Sequence, residues 1–234
     1  GYRSDGTPSG LRNWFRENLP FKILKGGISG LTDLDVDNSY NNLGICMAWD
    51  NRFNRLFITK KDYIVKDAYK GEIRFSKVMS KRTITLGGAS GSGNIIVNGV
   101  SYLATFATDL STTEQNWVTA NAAAILADCK ATVTYEGGYI VIQASPTSMP
   151  TITYTQIATL TATISDLEEV ESNKGHFYTT VNGIETEIYT SNTTYFEDCS
   201  FTVVYNPLLQ GWISFYSFKP SYYIPYQHYF QTGY

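Results

Sequence analysis

Apolar residues alternate with polar ones along most of this chain, the period-two spacing of strands that bury one face. Residues 44–49 predict a strand, 50–54 a turn, and 55–60 the returning strand. The same order comes back later, with 201–205, a turn at 206–211, and 212–218. A similar tail follows each pair, Lys61-Asp62-Tyr63-Ile64 after the first and Pro220-Ser221-Tyr222-Tyr223-Ile224 after the second. Such weak repetition fits propeller-like blades or stacked hairpins. With so few repeats, missing chain or neighbouring subunits would have to complete a propeller. A third hairpin is predicted from 177–181 and 184–189 around Asn182-Gly183, because a type I′ turn needs two positive-φ residues. Its second strand should turn Ile184, Thr186 and Ile188 inward and Glu185, Glu187 and Tyr189 outward.

Helical spacing occurs in two places. Residues 10–19 predict a short helix stopped by Pro20. Ser111-Thr112-Thr113-Glu114 reads as a capping box, with Ser111 as the cap and Glu114 reaching back to its amide. Val118, Ala122, Ile125 and Cys129 then share one helical face with Trp117 and Leu126 alongside. Around this helix lie predicted strands at 83–86, 94–97, 100–106, 131–135 and 139–143, with more at 151–154 and 160–164. Asn98-Gly99 and Glu136-Gly137-Gly138 mark hairpin turns. One helix over one antiparallel sheet is the expected two-layer arrangement.

Composition sharpens this into domains. Of the 39 charged residues, only Asp109, Glu114, Asp128, Lys130 and Glu136 fall within 83–165, and only six of the 34 aromatics do. The change predicts a small α+β module, 83–165, inserted into a mainly β host made of 1–82 and 166–234. The polar flanks 76–82 and 165–175 read as linkers, and insertion is tolerated where host chain ends lie close at the surface.

Candidate chemistry is sparse. A net charge of −3 argues against nucleic acid as the main partner. No apolar run approaches the roughly 18 residues of a membrane span. The chain opens on Gly1 without a signal-peptide pattern, and it is expected to be a piece of a longer product. Cys46, Cys129 and Cys199 are odd in number and far apart, which disfavours disulfides or zinc and fits small buried thiols. His176 and His228 lack metal spacing. Residues 33–38 (Asp33, Asp35, Asp37) begin like a calcium loop, but Asn38 and Gly44 occupy the Gly and Glu positions of an EF-hand. They read instead as a strand edge with Leu34 and Val36 facing in. Gly87 to Gly93 lacks the Lys-Ser/Thr of a phosphate loop and precedes a strand. Glu168, Glu169, Glu171, Glu197 and Asp198 are candidates for paired-carboxylate catalysis by residue type alone. No cofactor, metal or catalytic motif is assigned, and the expectation is a protein that is not an enzyme.

The C-terminus stands apart. Between Trp212 and Tyr234 there are ten Phe, Tyr and Trp residues plus His228, against a single charge, Lys219. A solvated tail would not have this composition. The candidate subunit-contact residues are Trp212, Phe215, Phe218, Tyr222, Tyr223, Tyr226, Tyr229 and Phe230, since such side chains give large contact area with a polar handle. Sugar rings stacking on exposed aromatic faces are the alternative.

The runs Asp50-Asn51-Arg52-Phe53-Asn54 through Lys61-Asp62-Tyr63, and Gly211-Trp212-Ile213-Ser214-Phe215-Tyr216 through Lys219-Pro220, resemble segments of virion structural proteins of crAss-like bacteriophages. Within that group they are most similar to tail muzzle proteins, at the distal end of the tail. Ile84-Thr85-Leu86, Val97-Asn98-Gly99-Val100 and Ala122-Ala123-Ala124-Ile125-Leu126 resemble a small module recurring in structural proteins of these phages. The resemblance implies a multi-copy homo-oligomer contacting nozzle proteins, closure of the tail channel, and nucleic acid only as the translocated genome. It carries no catalytic residue. The alternative in the same setting is a host-glycan receptor-binding module.

Overall fold

A computed structural model describes residues 11–38, 40–226 and 229–233. The chain is mainly β, with antiparallel sheets and a small helical part. Its contacts form two compact units. One holds the chain up to Phe75, Gly175–Phe177 and everything from Ile188 on; the other holds Ser76–Lys174 and Tyr178–Glu187.

The first unit opens with α1, Arg12–Asn18, which ends two residues before Pro20. A 3-10 turn, Ile23–Gly26, follows. Residues 33–38 form turns rather than the expected strand edge: Asp35 accepts from the Thr32 amide at 2.8 Å, and Leu34 is 93% exposed while Val36 is buried. Strand β1, Gly44–Asp50, pairs in register with β2, Arg55–Lys61. Strand β3, Tyr63–Val65, continues β2 after Asp62.

The second unit is built on β4, Lys77–Gly87, an eleven-residue strand. Strands β5, Ser92–Val97, and β6, Val100–Thr105, form the hairpin at Asn98-Gly99, whose φ values of 50° and 83° are those of the expected turn. Helix α2 runs Leu110–Cys129. Its cap is Asp109, not Ser111: Asp109 Oδ1 accepts from the Thr112 amide at 2.7 Å. Glu114 does not reach back; it turns into the core and accepts from the Leu86 amide at 3.1 Å. Strands β7, Thr132–Tyr135, and β8, Ile140–Ala144, make the second hairpin. Then come β9, Ile152–Gln156, β10, Thr161–Ile164, and β11, Glu168–Ser172.

The expected single sheet is two sheets, β10-β4-β8-β7 with β11 also on β4, and β6-β5-β9. Together with α2 they close one core that includes Ile84, Ile95, Trp117, Ile125, Ile140 and Leu160. The flanks read as linkers are strands, because β11 pairs with the first half of β4, setting Glu168 opposite Lys81. Gly93 is needed at its place on β5, where a Cβ would come within 1.9 Å of the Tyr154 hydroxyl.

Strands β12, Phe177–Val181, and β13, Ile184–Ile188, form the third hairpin, with Asn182 and Gly183 at φ 50° and 80°. Its tip, 178–187, counts with the second unit rather than the host. The expected facing fails there. Ile184 is half exposed, and Glu185 is buried, accepting from Thr180 at 3.1 Å and Ser145 at 3.3 Å. Hydroxyl donors on the covered side outweigh the cost of burying a carboxylate.

Back in the first unit, β14, Phe196–Asp198, pairs with β3. Strands β15, Phe201–Asn206, and β16, Gly211–Tyr216, repeat the first hairpin. Both hairpins use a four-residue loop in which the preceding Asp50 or Asn206 side chain accepts backbone amides. Each loop ends in a left-handed residue, Asn54 or Gln210. The two hairpins lie side by side in one sheet, β1-β2-β15-β16. Strands β17, Tyr222–Pro225, and β18, Phe230–Gly233, form the last hairpin.

Where β2 and β15 give way to β3 and β14, the ladder breaks at Asp62 and resumes in the same register. Ser200 fills the break, its hydroxyl accepting from the Asp62 amide at 3.0 Å. Lys60 and Asp62 are 1% and 0% exposed at the side chain and lie 2.5 Å apart. Lys60 Nζ also donates to the carbonyls of Asn18 and Pro20 at 2.8 and 2.9 Å, and Asp62 accepts the amides of Lys22 and Ile23 at 2.7 and 3.2 Å. The ammonium therefore serves the C-terminal end of α1 and the carboxylate the start of the 3-10 turn. Lys60→Met should cost about 3–5 kcal/mol, because it strands a buried carboxylate. Urea unfolding checks this. Adding Asp62→Leu should not restore stability, since the amides of Lys22 and Ile23 would then lose their acceptor.

Candidate binding cleft and interaction surfaces

The C-terminal aromatics divide into two groups. One group covers a face of the four-stranded sheet. Phe57, on β2, is buried with Tyr216, Phe218, Tyr223 and Phe230 around it, at ring separations between 5.1 and 6.5 Å. Two hydrogen bonds fix this lid, between the hydroxyls of Tyr223 and Thr59 at 2.6 Å and from Thr202 to the Phe218 carbonyl at 2.7 Å. On the opposite face α1 covers the β15–β16 side, with Trp14 against Phe201 and Phe215 and Phe15 against Trp212. Of the eight side chains that the sequence offers as subunit contacts, Trp212, Phe215, Phe218, Tyr223 and Phe230 thus pack against rings of the same chain.

The second group reaches solvent. Phe215, Tyr222, Tyr226 and Tyr229 are exposed, and Tyr226 and Tyr229 stack at 4.8 Å. His228 and Tyr234 lie outside the described residues. On the face that α1 covers over β15 and β16, β1 presents Ile45, Met47 and Trp49, a row of alternate residues that are all exposed.

Three loops of the first unit meet in a cleft of about 510 Å³ lined by residues 40–42, 189–191 and 221–222. Tyr40, Tyr189 and Tyr222 supply exposed rings, and Asn41, Asn42, Thr190, Ser191 and Ser221 supply amides and hydroxyls. Asn41 is buried and donates to the Gly175 carbonyl at 2.7 Å, while Thr190 donates to the Asn41 carbonyl at 2.8 Å. Asn42 takes a left-handed φ of 58°, which asparagine tolerates. Its carboxamide accepts from Ser221 at 2.8 Å. The Tyr40 ring rests on His176 at 4.5 Å, and the Tyr222 ring lies where a Cβ on Gly233 would be. Tyr222 stood among the sequence candidates. Tyr40 and Tyr189 did not, and their only sequence signal is the pairing of Tyr with small polar residues in Tyr40-Asn41-Asn42 and Tyr189-Thr190-Ser191.

A smaller cleft of about 190 Å³ carries Lys22, Lys25 and Lys70. Lys70 is paired with Asp67 at 2.6 Å, and the Lys22 ammonium donates to Asn18 at 3.1 Å.

The other sequence candidates are dispersed. Glu168, Glu169 and Glu171 stand exposed on β11. Hydrogen bonds from Lys174 and Ser76 hold Glu171 below the usual carboxylate range. Glu197 and Asp198 are neighbours on β14 and so face opposite ways. Burial pushes Asp198 up, but hydrogen bonds from Lys219 and Ser200 outweigh it and hold the carboxyl low. The three cysteines are free and only part-buried. Burial raises all three thiols, Cys199 to about 12 with help from the Asp62 charge, which keeps them protonated at neutral pH. Among the described residues no group of His, Cys, Asp and Glu could hold a metal, and no helix is long and apolar enough to cross a membrane. No family model matches the chain, and no curated protein or solved structure matches it either.

Glu114 is a buried acid in the core of the second unit. Its Oε2 has no hydrogen-bond partner, and burial raises its pKa above the ordinary 4.5 against the pull of the Leu86 amide. An acid raised on folding favours the folded state most below its unfolded pKa, and that advantage is lost as pH rises through the folded value. Glu114→Gln keeps an oxygen for Leu86 and removes the charge. It should raise the melting temperature of this unit at pH 7, and the gain should vanish near pH 4. Calorimetry across that range checks it.

Proposed function

We propose that the protein is a structural component of a bacteriophage virion. In this reading it is a multi-copy tail-tip subunit of the muzzle type that closes the tail channel against nozzle proteins. The observation that carries the reading is the row on β1. Ile45, Met47 and Trp49 are 42%, 62% and 42% exposed on an edge strand of the sheet. Edge strands offer unpaired backbone groups to another chain, and an apolar row beside such an edge favours contact.

The occupant we assign is a second copy of this chain. Strands β1 and β16 are the two unlike edges of the sheet. Joining one to the other is a head-to-tail contact, and such contacts close into rings when the rotation allows. Two of the segments that carry the virion-protein resemblance, 50–63 and 211–220, lie in and beside this same sheet. The protein then resides in the phage tail, performs no catalysis, and meets DNA only as the passing genome.

Native mass spectrometry of the chain should show a multimer. Met47→Lys should convert it to monomer with its melting temperature unchanged. Wild-type protein that stays monomeric and binds no tail protein ends this reading.

A further inference from the structure

The geometry points to a saccharide-binding site in the cleft between Tyr40, Tyr189 and Tyr222, selective for uncharged oligosaccharides. This goes beyond the assembly reading and does not rest on it. The cleft's volume of about 510 Å³ lies within the roughly 300–1,000 Å³ of small-molecule sites.

Its lining fits one ligand chemistry. A sugar ring presents flat patches of C–H that pack on aromatic faces, and a girdle of hydroxyls that both donate and accept. Tyr40, Tyr189 and Tyr222 are about half exposed, so each offers ring surface and a phenol. Asn42, Ser191 and Ser221, none of them fully buried, bring an amide and hydroxyls that can do both, while Asn41 and Thr190 are buried and bonded within the chain. None of the eight lining residues is charged. Phosphates, nucleotides and acidic sugars would enter without a cation to meet them. A lipid chain would leave the amides and hydroxyls without partners. A proline-rich peptide also packs on aromatic rings, but it brings few donors to a lining in which every side chain carries an amide or a hydroxyl.

The cleft is also built before any ligand arrives. Asn41 is 4% exposed and bonded to Gly175 and Thr190, Ser221 holds Asn42, and His176 backs the Tyr40 ring. These bonds tie three distant segments together, so binding need not pay to order them.

The whole chain would be titrated calorimetrically with maltohexaose, cellohexaose, xylohexaose and mannohexaose, with sialyllactose and decaproline as comparators. At least one neutral oligosaccharide should bind. Tyr40→Ala and Tyr189→Ala should each weaken that binding about tenfold, the scale of one lost ring contact. Ser191→Trp, which fills the cleft and removes no packed ring, should abolish it. Tyr229→Ala, at an exposed ring outside the cleft, should leave it unchanged. Binding should persist in the Met47→Lys chain, which separates this site from assembly. The inference is overturned if none of the four neutral sugars binds, or if only sialyllactose or decaproline does. It is equally overturned if Ser191→Trp leaves the affinity as it was.

Discussion

The buried pair of Lys60 and Asp62 is the constraint on which the first unit is organised. Two charges taken out of water are tolerated only when every remaining donor and acceptor is met. Here they are met by the chain itself: the carbonyls of Asn18 and Pro20 on one side, the amides of Lys22 and Ile23 on the other. The pair thus holds the end of α1, the proline and the next turn against the middle of the sheet. The break in the ladder at Asp62 makes room for this, and Ser200 supplies the hydrogen bonding that the break removes. Once this segment is fixed, α1 lies where Trp14 and Phe15 meet the rings of β15 and β16.

The second unit is organised by a different balance. It has few charges and a core drawn from two sheets and one helix. Its alanine-rich helix buries Trp117 and Ile125 and little else of bulk, so the sheets approach it closely. Glu114 is the exception in this apolar interior. It ties the first turn of α2 to the Leu86 amide, and its second oxygen goes unmet. The tie is directional, which apolar packing is not, and it sets the helix against β4.

The aromatic C-terminus serves two ends at once. Rings on the inner side of the last hairpin complete the core over Phe57, and rings on the outer side remain wet. Strand alternation makes this division unavoidable, since neighbours on a strand face opposite ways. An aromatic-rich hairpin that covers a sheet therefore also presents aromatic surface. At Tyr222 that surface borders a cleft of neutral hydrogen-bonding groups, and on β1 a separate apolar row lies at an edge. The cleft and the apolar row thus occupy different parts of one unit.

By itself the sequence determined the local elements. Period-two alternation located the hairpins, Asn-Gly placed two of the turns, Pro20 ended α1, and the mainly β class with a small helical part followed from these. The repeated hairpin was legible because both copies needed an acceptor side chain and a left-handed residue at matching loop positions. Only the tertiary structure decided what paired with what. The capping box looked complete, yet Asp109 capped α2, because Glu114 found a backbone amide in the core. Flanks with the composition of linkers became β4 and β11, since two polar strands stabilise each other once the fold brings them together. Glu185 went in and Ile184 out, because hydroxyls from distant segments waited on one side. The cleft was illegible for the same reason: Tyr40, Tyr189 and Tyr222 are far apart along the chain, and no local spacing records that they meet. Local propensity depends on neighbours in sequence, while pairing, burial and sites depend on neighbours in space, which only folding supplies.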